Sequence, residues 1–125
     1  MPLTDKIHMP DGSTIAIWHI EESEPKLRAA YLAQAGLPED SPLEVEDYKV
    51  ARKRKQWFAA RLLSYEVIPN FEGLYYDQFG APHITEDDTC LSFSHSYDKV
   101  AIITHPDFEV GIDIQKKDEK LRRIA

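Results

Sequence analysis

Cys90-Leu91-Ser92-Phe93-Ser94, followed after His95-Ser96-Tyr97-Asp98 by Lys99-Val100-Ala101-Ile102-Ile103-Thr104, decides the fold. The first segment alternates apolar and polar side chains, as a strand with one buried face does. The second is apolar on both faces over 100–103, which marks the centre of a sheet. Leu91 and Phe93 then share one side and Ser92 and Ser94 the other, with His95 placed where the strand gives way to a turn.

Working outward, Glu109-Val110-Gly111-Ile112-Asp113-Ile114 reads as a further strand, and 118–125 as the start of a helix. Upstream, Leu74-Tyr75-Tyr76-Asp77 is another strand, closed by a turn at Phe79-Gly80-Ala81-Pro82. Near the beginning, Pro10-Asp11-Gly12-Ser13 is a turn signal ahead of the β-branched run Thr14-Ile15-Ala16-Ile17-Trp18-His19-Ile20, and residues 1–9 are expected to be loose. Between these strands lie two helical stretches. One covers 26–35, opened by Ser23-Glu24-Pro25 and stopped by Gly36 with Pro38 beyond. The other begins near Ser41-Pro42-Leu43-Glu44 and runs to about residue 67, halted by Pro69-Asn70. Its apolar stripe is Ala51, Phe58, Leu62 and Tyr65, with Val50 and Trp57 one position round. Two helices followed by strands at hairpin spacing predict an α+β fold, with helices packed on a largely antiparallel sheet in a single domain over 1–125.

Composition narrows the chemistry. Of the 125 residues, 22 are acidic and 15 basic, and the net charge of −7 argues against a general nucleic-acid or anionic-membrane binder, which must set cations on phosphates. No apolar run reaches the roughly 18 residues that span a bilayer. The single cysteine, Cys90, excludes an intramolecular disulfide and a cysteine-rich zinc site. With no charged-then-apolar leader at the start, a cytoplasmic location is expected.

Two local patterns carry chemistry. In an extended strand Gly111, Asp113 and Gln115 share a face opposite Val110, Ile112 and Ile114, so the Asp113 carboxylate stands beside the gap left by a glycine. Magnesium binds hard oxygens and relies on one or two carboxylates plus substrate phosphates, which suits that position. The hydroxyls of Ser92 and Ser94, the His95 imidazole and turn amides can receive phosphate oxygens. A nucleophilic Ser94 or Ser96 with His95 as base is the rival reading, but adjacent residues of an extended chain face opposite ways, and there is no G-x-S-x-G elbow. Arg54 and Arg61, two helical turns apart, project from one side of the second helix, thickened by Arg52, Lys53 and Lys55. The plain alternatives are a solvated helix face, a turn histidine and a polar residue on a wet strand.

In order and spacing, the basic helix, Tyr76-Asp77-Gln78-Phe79-Gly80-Ala81-Pro82, Ser92-Phe93-Ser94-His95-Ser96 and Gly111-Ile112-Asp113-Ile114-Gln115 resemble the N-terminal half of a surfactin-type 4′-phosphopantetheinyl transferase. The resemblance covers most of the chain from about residue 45 and is sharpest over 92–116. It implies one half of a pseudo-twofold α+β fold. It also implies a magnesium-dependent transfer of the phosphopantetheine arm of coenzyme A to a serine of an apo acyl or peptidyl carrier protein, with release of adenosine 3′,5′-bisphosphate. Carried over by position, Asp113 and Gln115 would ligate the metal ion. Ser94 and His95 would contact coenzyme A phosphate, and the helix around Arg54 and Arg61 would lie towards the adenosine phosphates.

The chain departs from the family pattern in three ways. Gln115 stands where a second acid is usual, Ala81 replaces the lysine of a G-K-P turn, and the family's later segment with its W-x-x-K-E helix has no counterpart before Ala125. The expectation is therefore a truncated chain to which no catalytic residue is assigned, inactive by itself and self-associating through the face its second half would cover. The alternative is a non-catalytic module that binds coenzyme A or the carrier protein.

Overall fold

Residues 5–85, 87–106, 111–114 and 121–124 are described by the structure, a computed structural model, with side chains for 6–85 and 87–106. In chain order the elements are β1 (Asp5–His8), β2 (Thr14–His19), α1 (Glu24–Ala35), a 3-10 turn (Glu44–Asp47), α2 (Ala51–Val67), β3 (Leu74–Tyr76), β4 (Pro82–Ile84), β5 (Cys90–Ser96), β6 (Lys99–His105), β7 (Gly111–Ile114) and β8 (Leu121–Ile124). β1, β2, β6 and β5 form an antiparallel four-stranded sheet in that order, while β3 pairs with β4 and β7 with β8. The expected α+β class is what the chain adopts.

The doubly apolar run of β6 sits inside the sheet. Ile102 lies opposite Ala16 of β2 and Phe93 of β5, and Val100, Ala101, Ile102 and Ile103 are all buried. Period-2 alternation sends Trp18, Val100, Ile102 and Leu91 into one core with Phe58, Leu62 and Leu63 of α2. Ile15, Ala101 and Ile103 form a smaller cluster on the opposite face. Each large side chain fully buried in this way contributes about 1.5–3 kcal/mol, so the α2 face, holding Trp18, Phe58, Leu62 and Ile102, dominates stability. α1 ends at Gly36, whose φ of 69° gives the left-handed turn that glycine adopts without steric cost.

Several expected boundaries move. Residues 5–8 are an edge strand rather than a loose tail, because β2 offers them a ladder from Thr14 to Ile17. α2 begins at Ala51, not near Ser41: only Glu44–Asp47 coils, as a 3-10 turn that drives Val45 into the core, and Tyr48 and Val50 are extended. The buried apolar stripe of α2 is consequently Phe58, Ala59, Leu62 and Leu63, whereas Val50 and Ala51 at the helix start are exposed. At the other end, Leu121–Ile124 is a strand, not a helix, paired residue by residue with β7. β4 appears where only a turn was expected, and His95 lies inside β5 opposite Val100 instead of beyond the strand end.

Candidate functional site

β5 alternates faces through its end. Leu91 and Phe93 pack into the α2 core, and His95, two residues on, keeps to their side. Ser94 pairs with Ala101 and faces the other way, so Ser94 and His95 are not set as nucleophile and base.

Between α2 and the end of β5 lies a cavity of about 280 Å³. Lys53 and Arg61 of α2 line it together with His95, and Tyr48, Trp57 and Tyr76 supply aromatic walls. The helix places these groups by spacing alone: Lys53, Trp57 and Arg61 are each one turn apart and so share a face. The guanidinium of Arg61 lies 3.8 Å over the Trp57 ring, a cation–π contact that anchors it at the cavity wall. Trp57 is itself wedged edge-on against Tyr31 at 5.1 Å and Phe58 at 5.3 Å. Its indole N–H donates to Glu44 Oε1 at 3.2 Å, and Arg61 faces that same oxygen at 3.6 Å.

α2 opens on Arg52, Lys53, Arg54 and Lys55 with no acid in its first turn and no side-chain cap. Cations at the positive end of a helix dipole raise the local potential, and an anion relieves it. Arg54 already has one. Its Nε donates to both carboxylate oxygens of Glu24 at 2.9 Å, and Nη1 donates to the Tyr48 carbonyl at 2.7 Å. Arg54 therefore ties α2 to α1 and does not line the cavity, whereas Arg61 and His95 do.

Asp113 sits in β7, whose backbone lies against β5 and β6 and pairs at this position with Arg122. Its side chain, like the whole of Gln115, lies outside the described residues. Among the described residues no group of three or more His, Cys, Asp or Glu side chains could hold a metal ion.

A second cavity, of about 430 Å³, is lined by Tyr75, His83, Asp87, Asp88, Cys90 and Ser92. It has the wrong sign for a phosphate. The Asp87 carboxyl is held below its ordinary range by the Thr89 hydroxyl and backbone N–H, and so stays charged. Asp77 is likewise lowered, first by the His83 ring at 2.8 Å and then by the N–H groups of Ala81 and Phe79. Those bonds close the β3–β4 turn around Ala81.

Gln56, Tyr48 and Trp57 were not among the candidate site residues legible in the sequence, yet all three line the cavity. The i, i+4 spacing of Trp57 and Arg61 was the available signal for their stacking. Tyr48 carried none, because its position depends on where α2 begins. Among the described residues no helix is long and apolar enough to cross a membrane. Compared with known proteins, the chain matches no family model, and no curated protein matches it.

Proposed function

We propose that this chain grips coenzyme A as the N-terminal half of a phosphopantetheinyl transferase, in the magnesium-dependent transfer of the 4′-phosphopantetheine arm to a serine of an apo carrier protein. The cavity between α2 and β5 carries the proposal: Lys53, Arg61 and His95 converge there beside the rings of Tyr48, Trp57 and Tyr76. Cations and an imidazole receive phosphate oxygens through charge-assisted hydrogen bonds, and aromatic faces receive a purine. A nucleotide needs both.

In the reaction, the serine hydroxyl gives up its proton to solvent and its oxygen bonds to the phosphorus that bears pantetheine. The pyrophosphate bridge breaks, and adenosine 3′,5′-bisphosphate leaves. Such transfers depend chiefly on positioning and on neutralising charge spread over oxygens. Lys53 and Arg61 would supply fixed positive charge, and His95 a phosphate contact. The donor set of Asp113 with Gln115, one carboxylate and one amide oxygen, fits a magnesium ion that leans on substrate phosphates for its remaining ligands. When bound, that ion polarises the diphosphate. Ser94, on the opposite face of β5 from His95, and Arg54, held by Glu24, do not line the cavity and are left out of this contact set.

Calorimetry with coenzyme A tests the reading. Binding by the native chain that falls about tenfold in His95→Ala and in Arg61→Leu, the loss expected when one charge-assisted bond goes, supports it. No binding, or affinity unchanged in both variants, overturns it. The substitutions Ala81 and Gln115 favour the second reading, a module that binds without transferring. Incubation with coenzyme A, magnesium and apo carrier protein separates the two, because only a transferase labels the serine.

A further inference from the structure

Gln56 is a polar residue of α2 only 8% exposed, and it lines the same cavity as His95. Its Nε2 donates to the backbone carbonyl of Tyr97 at 2.8 Å. Tyr97 belongs to the two-residue turn that joins β5 to β6, immediately after Ser96, and its φ is 52°. A large side chain in the left-handed region is unusual, since glycine or asparagine is the normal occupant of such a turn, and it persists only where the surroundings impose it.

What imposes it here is α2. Arg52 and Gln56, one turn apart and so on one face of the helix, both reach the turn: the Arg52 guanidinium lies 4.5 Å over the Tyr97 ring, and Gln56 holds its carbonyl. From the other side, Asp98 O accepts the N–H of Ile20 at 2.6 Å. The turn is clamped between α2 and the residue that follows β2, and His95 stands two residues before it on the short strand end.

We infer that Gln56 is a positioning residue: through the Tyr97 carbonyl it fixes the end of β5 against α2 and so sets the distance from the His95 imidazole to Lys53 and Arg61. This rests on the coenzyme A reading for its effect on binding, though not for its effect on His95. A positioning residue acts through its client, which separates it from a direct ligand contact and from a general contributor to folding.

The test is a double-mutant cycle between Gln56→Leu and His95→Ala, read by calorimetry with coenzyme A, together with the ring resonances of His95 in the ligand-free protein. Gln56→Glu serves as the near-isosteric second variant, because an ionised carboxylate cannot donate to the Tyr97 carbonyl. The expected loss for Gln56→Leu is about tenfold in the native background and less than about twofold once His95 is alanine, the signature of coupled residues. In both Gln56 variants the His95 resonances shift and broaden while the circular dichroism of the fold is unchanged. Equal losses in the two backgrounds, or His95 resonances that stay in place, overturn the inference. If the native chain binds no coenzyme A, the function reading fails. The resonances alone then decide for or against the positioning role.

Discussion

Glu44 faces Arg61 at 3.6 Å through the same carboxylate oxygen that accepts the Trp57 indole N–H at 3.2 Å. The cation best placed to meet a phosphate in the cavity is thus partly engaged by a carboxylate whose own side chain is 67% exposed. An incoming dianion must compete with Glu44, and at that exposure the existing pair is weak enough to yield.

Glu44→Gln should therefore raise affinity for coenzyme A. The amide keeps an acceptor for the Trp57 N–H but gives up the charge facing Arg61. About a two- to fivefold gain is expected, the factor that corresponds to an exposed ion pair of less than 1 kcal/mol. Titration calorimetry at low ionic strength measures it, and a loss of affinity would mean that Glu44 assists binding instead of opposing it.

Arg54→Met should separate stability from binding. Both oxygens of Glu24 and the Tyr48 carbonyl lose their donor, so α1 and α2 are less firmly joined, at a cost of about 1 kcal/mol. Coenzyme A affinity should fall less than in Arg61→Leu, because Arg54 does not itself line the cavity and reaches it only through the Tyr48 carbonyl. Urea denaturation and calorimetry on the same sample check the two halves, and reduced affinity at unchanged stability would restore Arg54 to the site.

Acid should loosen the β3–β4 turn. The Asp77 carboxyl titrates below its ordinary 3.8 in the folded chain because the His83 ring, then the Ala81 and Phe79 N–H groups, favour the charged form. A lowered folded pKa means that the unfolded chain binds more protons near and below that ordinary value, so stability rises with pH there. The contribution is whole above the unfolded pKa and disappears as pH falls through the lowered folded value. Asp77→Ala should flatten this limb of the stability profile between about pH 5 and 2, measured by urea titration at successive pH values. An unaltered limb would show that the bonds of Asp77 do not survive in solution.

Ile102→Ala should be the most damaging of these changes. Ile102 is fully buried between β2 and β5 and under α2. Truncation there costs about 2–5 kcal/mol through lost transfer energy and the cavity left behind, enough to unfold a marginal domain. Thermal unfolding by circular dichroism gives the answer, and a Tm within a few degrees of native would show that the core collapses around the gap.

The parts of the fold legible in the sequence are those whose cause is local. The apolar run 100–103 identified its own burial, and Gly36 and Pro69 marked real helix ends. The start of α2 was not legible, because Ser41-Pro42 is an acceptable opening and nothing local reveals that burial of Val45 ends the coil in a single 3-10 turn. β1 was missed for a similar reason. Asp5–His8 is an unremarkable peptide until β2 presents its hydrogen-bonding edge. In the candidate site, His95 and Arg61, far apart in sequence, meet at one cavity only through the packing of β5 on α2. Arg54 could not be told from Arg61, since only the tertiary position of Glu24 distinguishes them. Gln56 was illegible because its partner is a backbone carbonyl, which any residue type would provide.

The register of β2 against β6, which sets Ile15 opposite Ile103 and Trp18 opposite Val100, has a consequence for biosynthesis. Two strands separated in sequence by α1, α2, β3, β4 and β5 form the middle of the sheet, so its central ladder cannot exist while β6 is still inside the ribosome. Until then the apolar residues of β2 and α2 lack the central strand that carries Val100 and Ile102 into their core. Native pairing must await the emergence of β6, and a nascent chain halted earlier is a natural client for a chaperone.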